Sequence, residues 1–209
     1  MPKAFTDEER TRIRARLIEA GRECFSRYGL EKTTVEDLTS RAGIAKSSFY
    51  LFFGSKEALY IQLVLDEAPA MMDRIAAASL RAGGSTRDVL VRLLHAIVGE
   101  VESSSFARVL LDEPEQLERL AAVLDVEDLL RRASGLFAPL VDWIAEAQRR
   151  GEIVQGDPQE LVYALALIKL LPLNRGRIPP ALYGRMLQLV PQILANGLTC
   201  SALERTEDA

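Results

Sequence analysis

The 209-residue sequence predicts an all-α protein of about nine helices. Three observations support this fold class. Apolar residues recur at intervals of three and four, glycine and proline stand at the ends of the segments with this period, and no stretch alternates between apolar and polar residues as a strand would. The predicted helices cover residues 7–28, 35–42, 46–52, 56–81, 86–103, one or two short segments within 106–124, 126–150, 158–172 and 180–198.

Residues that favour helix ends bound the first three helices. Gly29 supplies a positive φ at the end of the first. Thr34 is a good N-cap for the second, and Asp37 three residues later makes a variant of the capping box. Gly43 ends the second helix. The third follows Ala45, which has no side-chain oxygen to cap it, a loss typically near ~1 kcal/mol.

Prolines mark the later helices. Pro69 lies inside the helix at 56–81 and Pro191 inside the last one, and each is expected to kink its helix because proline lacks the amide donor. Asp157 is a predicted N-cap with Pro158 at the first helical position and Glu160 completing a capping box.

Composition excludes several classes of protein. No apolar run approaches the ~20 residues of a membrane-spanning helix, and the N-terminus lacks the apolar segment of a signal peptide, so we expect a cytoplasmic protein without a membrane partner. Cys24 and Cys200 lack zinc-site spacing, and His95 is the single histidine. We therefore expect no metal and no cofactor, and an all-helical enzyme is a remote alternative.

The net charge of −4 is distributed unevenly. Residues 1–60 hold eleven basic and nine acidic side chains, and the other 149 residues hold 15 and 21. The first part is therefore slightly basic, which indicates where an anionic partner would bind, and the rest is acidic.

A series of short helices separated by glycines lies between residues 33 and 59. It reads TTVEDL at 33–38, RAGIAKSSFYLFF at 41–53 and SKEAL at 55–59. Helix, glycine turn, short helix, glycine turn, short helix and long helix is a helix-turn-helix layout. In such a domain one helix presents small or polar side chains to base edges while its other face packs on the domain.

The helix at 46–52 has side chains for both faces. The aromatic candidates for the packing face are Phe49, Phe52 and Phe53. The candidates for the exposed face are Lys46, Ser47, Ser48 and Leu51. Serine hydroxyls can donate to or accept from base edges, Leu51 can contact a thymine methyl, and Tyr50 offers a hydroxyl suited to a phosphate.

Across about residues 11–65 this sequence resembles the tetracycline-repressor (TetR) family of bacterial transcription regulators. The resemblance implies an N-terminal three-helix helix-turn-helix domain, joined by a long helix to a helical ligand-binding and dimerisation domain. We set these domains at residues 1–55, with the motif at about 34–53, and at 56–209. The family positions that hold the DNA backbone match Thr34, Tyr50 and Lys56. The positions that face the groove match Lys46, Ser47, Ser48 and Leu51.

The second domain has candidates for two further sites. The candidates for an effector pocket are Met72, His95, Phe106 and Trp143. The last two long helices are apolar over more than one face, so we expect residues 158–198 to pair with a second copy as a four-helix bundle. The expected dimer residues are Leu161, Leu165, Ile168, Leu182, Met186, Leu189 and Ile193.

The predicted function is that of a ligand-responsive transcriptional regulator in the bacterial cytoplasm. We expect a repressor that binds double-stranded DNA at a palindromic operator as a homodimer, and that a small-molecule effector releases. The acidic second domain gives slight support to a cationic or amphipathic effector. The alternative is a DNA-binding repressor without a small-molecule effector.

Overall fold

The structure, a computed structural model, describes residues 5–104, residue 120 and residues 126–199, without the side chains of residues 126–134. In these residues the chain forms α-helices and short 3₁₀ helices, and no strand, which confirms the all-α prediction. The α-helices are α1 (Asp7–Lys32), α2 (Val35–Ala42), α3 (Lys56–Ala78), α4 (Thr86–Ser103), α5 (Val126–Arg149), α6 (Pro158–Ala166), α7 (Leu170–Leu173) and α8 (Pro180–Thr199). The 3₁₀ helices are Lys46–Leu51, Leu80–Ala82, Leu167–Lys169 and Arg175–Arg177. The helices predicted within residues 106–124 lie outside the described residues, apart from helical Leu120.

The described chain divides into two units. An N-terminal unit contains residues 5–68, 120 and 126, and a C-terminal unit contains residues 69–104 and 127–199. The division falls inside α3, between Ala68 and Pro69, whereas the sequence-based division at residue 55 assigns all of α3 to the second domain. That division remains a prediction about function. None of the described helices is long and apolar enough to cross a membrane.

The core of the N-terminal unit contains the apolar stripe of α1. Leu17, Cys24 and Phe25 are fully buried, as the helical period predicts. The same period places Tyr28 in this stripe, but Tyr28 is 43% exposed and Leu30 is buried instead. The reason is a break at Gly29, where a φ of 78° and a ψ of 174° interrupt the helix before its last turn.

Local capping sets the ends of α2 as predicted. Thr34 and Asp37 form the reciprocal capping box. Gly43 adopts the left-handed conformation, and its amide donates to the carbonyls of Ser40 and Thr39. The following helix has no side-chain cap at Ala45, also as predicted, and its hydrogen bonding is that of a 3₁₀ helix.

The C-terminal unit packs around α4, whose bounds match the predicted helix at 86–103. Leu90, Leu93 and Leu94 of this helix are buried, and α4 contacts α8, α7 and the 3₁₀ helix Leu167–Lys169. The helix predicted at 158–172 is helical to Leu173 but is divided by a short 3₁₀ segment. α6 ends at Ala166, the 3₁₀ helix Leu167–Lys169 follows it, and α7 includes Pro172, whose missing amide leaves the Ile168 carbonyl without an α-helical partner.

Candidate functional site

The 3₁₀ helix Lys46–Leu51 is anchored by one aromatic side chain. Phe49 is fully buried, and its ring lies 5.9 Å from that of Phe53 and edge-on to Tyr50 at 5.6 Å. Phe53 is also buried, so both residues lie on the packing face as predicted. Phe52 was expected there too but is only half-buried. The segment is therefore held on the domain by Phe49, and its other side chains are not buried in the core.

Four of the predicted DNA-contacting residues are exposed together on this segment. Tyr50 and Leu51 are 58% and 56% exposed, although both have large apolar side chains. Lys46 and Ser47 are also exposed, whereas Ser48 is half-buried. Large apolar groups left in water beside a cation and a hydroxyl are typical of a surface that binds a partner.

Side chains of α1 support this segment from one side. A guanidinium nitrogen of Arg10 (Nη2) donates to the carbonyl of Leu51 at 3.3 Å, and the guanidinium carbon lies 5.5 Å from the Phe52 ring centroid. The guanidinium of Arg14 lies 5.0 Å from the Phe53 ring centroid. Such cation–π contacts contribute about 0.5–1 kcal/mol at exposed positions. These arginines therefore fix the end of the segment and place positive charge beside it.

Acidic side chains already occupy the N-terminus of α2. The hydroxyl of Thr34 donates to the Asp37 carboxylate at 2.6 Å, and the Thr34 amide donates to it at 2.9 Å. These bonds, the side-chain one first, hold the pKa of Asp37 below its usual range. Glu36 lies beside them, 3.5 Å from the Lys46 ammonium. The Thr34 hydroxyl proton thus has an acceptor inside the protein, which differs from the predicted contact with a phosphate.

Lys56 binds the protein itself. Its ammonium (Nζ) donates to three carbonyls at the C-terminal end of α1, those of Leu30 at 2.7 Å, Glu31 at 3.1 Å and the C-cap residue Thr33 at 2.8 Å. A cation at the C-terminal end of a helix satisfies carbonyls that have no partner within the helix. The structure therefore gives the Lys56 side chain a capping role, and its contact with a phosphate stays a prediction.

The C-terminal unit contains two neighbouring cavities. An open cleft of about 370 Å³, the outer cleft, is lined by Pro69, Met72, Asp73, Ile75, Ala76, Leu80, Arg81, Leu93, Gly135, Leu136, Pro139 and Leu140. A narrower cavity, the inner pocket, is lined by Met71, Met72, Ile75, Leu93, Ile97, Val101, Phe137, Leu140, Val162, Ala166 and Lys169. The four residues common to both are Met72, Ile75, Leu93 and Leu140, so the two cavities share a wall.

One of the four predicted effector contacts lines these cavities. Met72 lies in the wall between them. His95 is half-buried on α4 and lines neither cavity, because the inward positions around it belong to Leu93, Leu94 and Ile97. Trp143 packs against the core of this unit and also lines neither. Phe106 lies outside the described residues.

The predicted dimer residues fall into two groups. Leu165 and Ile168 are 2% and 4% exposed and are part of the core of their own unit, so they have no surface left for a second copy. Leu161 and Met186 are half-buried. The exposed members are Leu182, Leu189 and Ile193. Next to the buried pair, Leu167 and Leu170 are exposed instead.

Comparison with known proteins identifies the family. The profile described as "Bacterial regulatory proteins, tetR family" matches residues 17–63. The chain is 27% identical over 186 residues to the probable HTH-type transcriptional regulator ArpR of Pseudomonas putida, which covers 83% of this chain and 81% of ArpR. It is 31% identical over 114 residues to the HTH-type transcriptional regulator YdgC of Bacillus subtilis, spanning about half (55%) of that protein.

Residues 17–63 of the chain carry a domain of the TetR family. A crystal structure of a TetR-family transcriptional regulator from Pectobacterium atrosepticum has the same fold, with a TM-score of 0.72, 19% identity, and coverage of 94% of this chain and 98% of that one. All seven residues predicted to contact DNA lie within the matched residues 17–63. The protein is thus a DNA-binding transcriptional regulator, and its relatives are regulators too.

Two features of this protein were not found from the sequence. Arg10 and Arg14 pack on aromatic rings beside the predicted DNA-contacting segment, and their spacing of four, which places both on one side of α1, was the available signal. Lys169 is not among the predicted effector contacts, but it lines the inner pocket. Its spacing from Val162 and Ala166, seven and three residues earlier, could have placed all three on one helix face. In the part of the chain that the structure describes, no three His, Cys, Asp or Glu side chains form a metal site.

Proposed function

We propose that this protein is a TetR-family repressor that binds a palindromic operator as a homodimer and is released by a small molecule. The observation that carries the proposal is the segment Lys46–Leu51, which is anchored by buried Phe49 while Tyr50 and Leu51 remain exposed. In the bacterial cytoplasm residues 1–55 read the DNA, and residues 56–209 bind the effector and the second copy.

The DNA contacts divide by chemistry. Ser47 and Leu51 face base edges, where a hydroxyl and a methyl-bearing side chain read polar groups and thymine methyls. Lys46 adds positive charge at the groove, and its exposed ion pair with Glu36 is weak enough to exchange for DNA. The Tyr50 hydroxyl donates to a phosphate. Half-buried Ser48 contributes less than its neighbour, and Thr34 and Lys56 act by holding the domain together.

A stripe on α8 supports the homodimer. Leu182, Met186, Leu189 and Ile193 follow the 4-3-4 spacing of helices that pack in bundles. At about 3.6 residues per turn they lie within about 60° of one another, the buried Pro191 and Ala195 lie about 150–170° from the centre of the stripe, and the buried Tyr183 lies about 90° from it. α8 therefore packs on its own unit with one face and leaves a second apolar face for the partner.

The cavities of the C-terminal unit support release by a small molecule. The outer cleft has the volume of about 300–1,000 Å³ typical of ligand sites. Met71, Met72 and Ile75 belong to α3, the helix that begins at Lys56 right after the DNA-binding segment. A ligand that moves these residues moves α3, and typical couplings of this kind change affinity about 5–150-fold. A repressor without an effector would have no use for such cavities.

Selection of bound duplexes from a random DNA pool tests the DNA-binding half of the proposal. We expect enrichment of a two-fold symmetric sequence, and recovery of only asymmetric sequences would contradict it. Ser47→Ala should alter base preference at one position of each half-site. The matched control Ser26→Ala, on α1 with its hydroxyl bonded to its own helix, should recover the wild-type sequence.

Sedimentation velocity tests the homodimer. Leu189→Glu places a charge in the exposed stripe and should shift the protein from dimer to monomer at micromolar concentration. Gln188→Glu changes a neighbouring exposed residue outside the stripe and should leave the dimer intact. A wild-type protein that sediments only as a monomer, or equal behaviour of the two variants, would contradict the proposed interface.

A further inference from the structure

Among the described residues that line the inner pocket, one side chain is polar and the others are apolar. Ten of its eleven lining residues are aliphatic, aromatic or methionine side chains, and the eleventh is Lys169. Lys169 is the last residue of the 3₁₀ helix Leu167–Lys169, and its neighbour Ile168 in the same helix is buried in the core. The lysine therefore lies beside the core of the C-terminal unit.

The ammonium of Lys169 has no counter-ion among the residues that the structure describes. Among the residues that the structure describes, none accepts a hydrogen bond from it or forms an ion pair with it, and no carboxylate lines the inner pocket. Burial lowers the pKa of this ammonium. An amine withdrawn from water without an acceptor destabilises the protein, and a bound anion would remove that cost.

The outer cleft differs in its charges. Its lining includes Asp73 and Arg81, which are exposed and form an ion pair with each other. Their charges compensate each other, and the other described residues that line the cleft are apolar. The cleft therefore suits an uncharged, apolar part of a ligand, and Lys169 on the far side of the shared wall suits an anionic end.

The wall between the cavities is made of side chains that can move. Met72 lies in it, and a methionine has three rotatable bonds and a polarisable thioether that adapts to different shapes. Met71 lines the inner pocket beside it. A rotation of Met72 is a small change compared with a helix movement, so one ligand can extend from the outer cleft into the inner pocket.

We infer that the effector is an aliphatic carboxylic acid whose carboxylate pairs with Lys169 and whose chain lies along Met72 into the outer cleft. This inference rests on the proposed effector function and specifies its ligand. It reverses the slight preference for a cationic effector that the acidic composition of residues 56–209 gave. The charge that lines the inner pocket is positive, whatever the sum over the surface.

Calorimetric titration of the full-length protein without DNA tests the charge of the ligand. The probes are decanoate, decanol and decylammonium at neutral pH, which share one chain and differ in the charge of the head. We expect decanoate to bind on the order of tenfold more tightly than decanol, since a hydrogen bond to a charged group contributes that much. Decylammonium should bind more weakly than either. Equal affinities, or no binding of decanoate, would overturn the inference.

Variants test the location. Lys169→Met keeps the length of the side chain and should abolish the preference for decanoate over decanol, and Lys169→Arg should retain it. Ala166→Phe fills the inner pocket and should prevent decanoate binding with Lys169 intact. Ala164→Phe makes the same change at an exposed position of α6 and should bind decanoate like wild type. Unchanged decanoate binding by Lys169→Met or by Ala166→Phe would refute the assigned site.

Operator affinity distinguishes failure of the ligand assignment from failure of the proposed function. Decanoate that binds through Lys169 without weakening operator binding would support the ligand class and contradict release by an effector. If decanoate weakens operator binding equally in wild type and in Lys169→Met, the result would support an effector-responsive repressor and overturn the Lys169 site.

Discussion

Replacing Lys56 with methionine tests whether this lysine holds the domain together or holds DNA. Methionine keeps most of the length of the side chain and removes the ammonium. In the structure that ammonium donates to the carbonyls of Leu30, Glu31 and Thr33 at 2.7–3.1 Å. These carbonyls follow the break at Gly29 in α1, so the lysine joins the end of α1 to the start of α3.

The expected loss of stability follows from these contacts. A hydrogen bond to a charged group contributes about 1.5–3 kcal/mol, and the three bonds share one cation that is half-buried. The Thr33 side chain is buried beside the carbonyl that would lose its partner. We expect Lys56→Met to lower the free energy of unfolding by about 2–3 kcal/mol.

The expected effect on DNA binding is different from that of a phosphate contact. Each phosphate that a protein neutralises contributes about 0.9 to the slope of log K against log salt concentration, so a dimer that loses two such contacts would lose about 2. If Lys56 is a cap, Lys56→Met leaves this slope unchanged at a temperature where the variant is folded. Lys46→Met is the matched control, because Lys46 is exposed at the proposed interface. It should reduce the slope and change stability by no more than about 0.5 kcal/mol.

Urea unfolding followed by circular dichroism gives the stability. Fluorescence anisotropy of operator DNA gives the salt slope when it is measured between about 50 and 200 mM salt, the range over which such affinities fall steeply. A Lys56→Met protein with wild-type stability would refute the capping role. A slope reduced as much as in Lys46→Met would show that Lys56 contacts phosphate in the complex.

Three further predictions concern the N-terminal unit. Phe49→Ala should lower the free energy of unfolding by about 3–5 kcal/mol because it empties a fully buried site. Leu51→Ala should change the free energy of unfolding by less than about 0.5 kcal/mol and still weaken DNA binding. Equal losses of stability in urea unfolding would contradict the assigned faces. The lowered pKa of Asp37 means that its contribution to stability is complete above its unfolded-state pKa near 3.8 and is lost as the pH falls through the lower folded-state value. Asp37→Asn should flatten the acid side of the urea midpoint against pH, and an unchanged curve would show that this carboxylate contributes nothing. Burial raises the pKa of the Cys24 thiol, so in a Cys200→Ser background it should react with a disulfide reagent only after urea unfolds the protein, and fast reaction of the native protein would contradict its burial.

Helix ends could be predicted from the sequence where a cap lies next to the residues it serves. Thr34 and Asp37 are three residues apart, and Gly43 bonds to carbonyls three and four residues before it. Such contacts require no knowledge of the rest of the chain, so α2 begins and ends where the sequence predicts. The buried position of Phe49 and the exposure of Leu51 also follow from the short period of one helix.

The contacts and the burial of long side chains could not be predicted in this way. Lys56 was expected at a phosphate because it stands at a helix start, yet its acceptors lie 23 to 26 residues earlier in the chain. Leu165 and Leu167 are chemically identical and two residues apart, but one is buried and the other exposed. The helical period indicates that two faces exist and leaves open which one packs inward.

The sequence by itself determined the all-α fold, the helix-turn-helix segment and the caps that delimit it, because these depend on residues within about one or two helical turns of each other. Only the tertiary structure decided that Lys56 caps α1, that Lys169 lines an apolar pocket, and that one stripe of α8 stays exposed. The physical reason is that burial and pairing depend on which helices meet. That choice is made by packing over the whole unit and is not encoded in any single helical period.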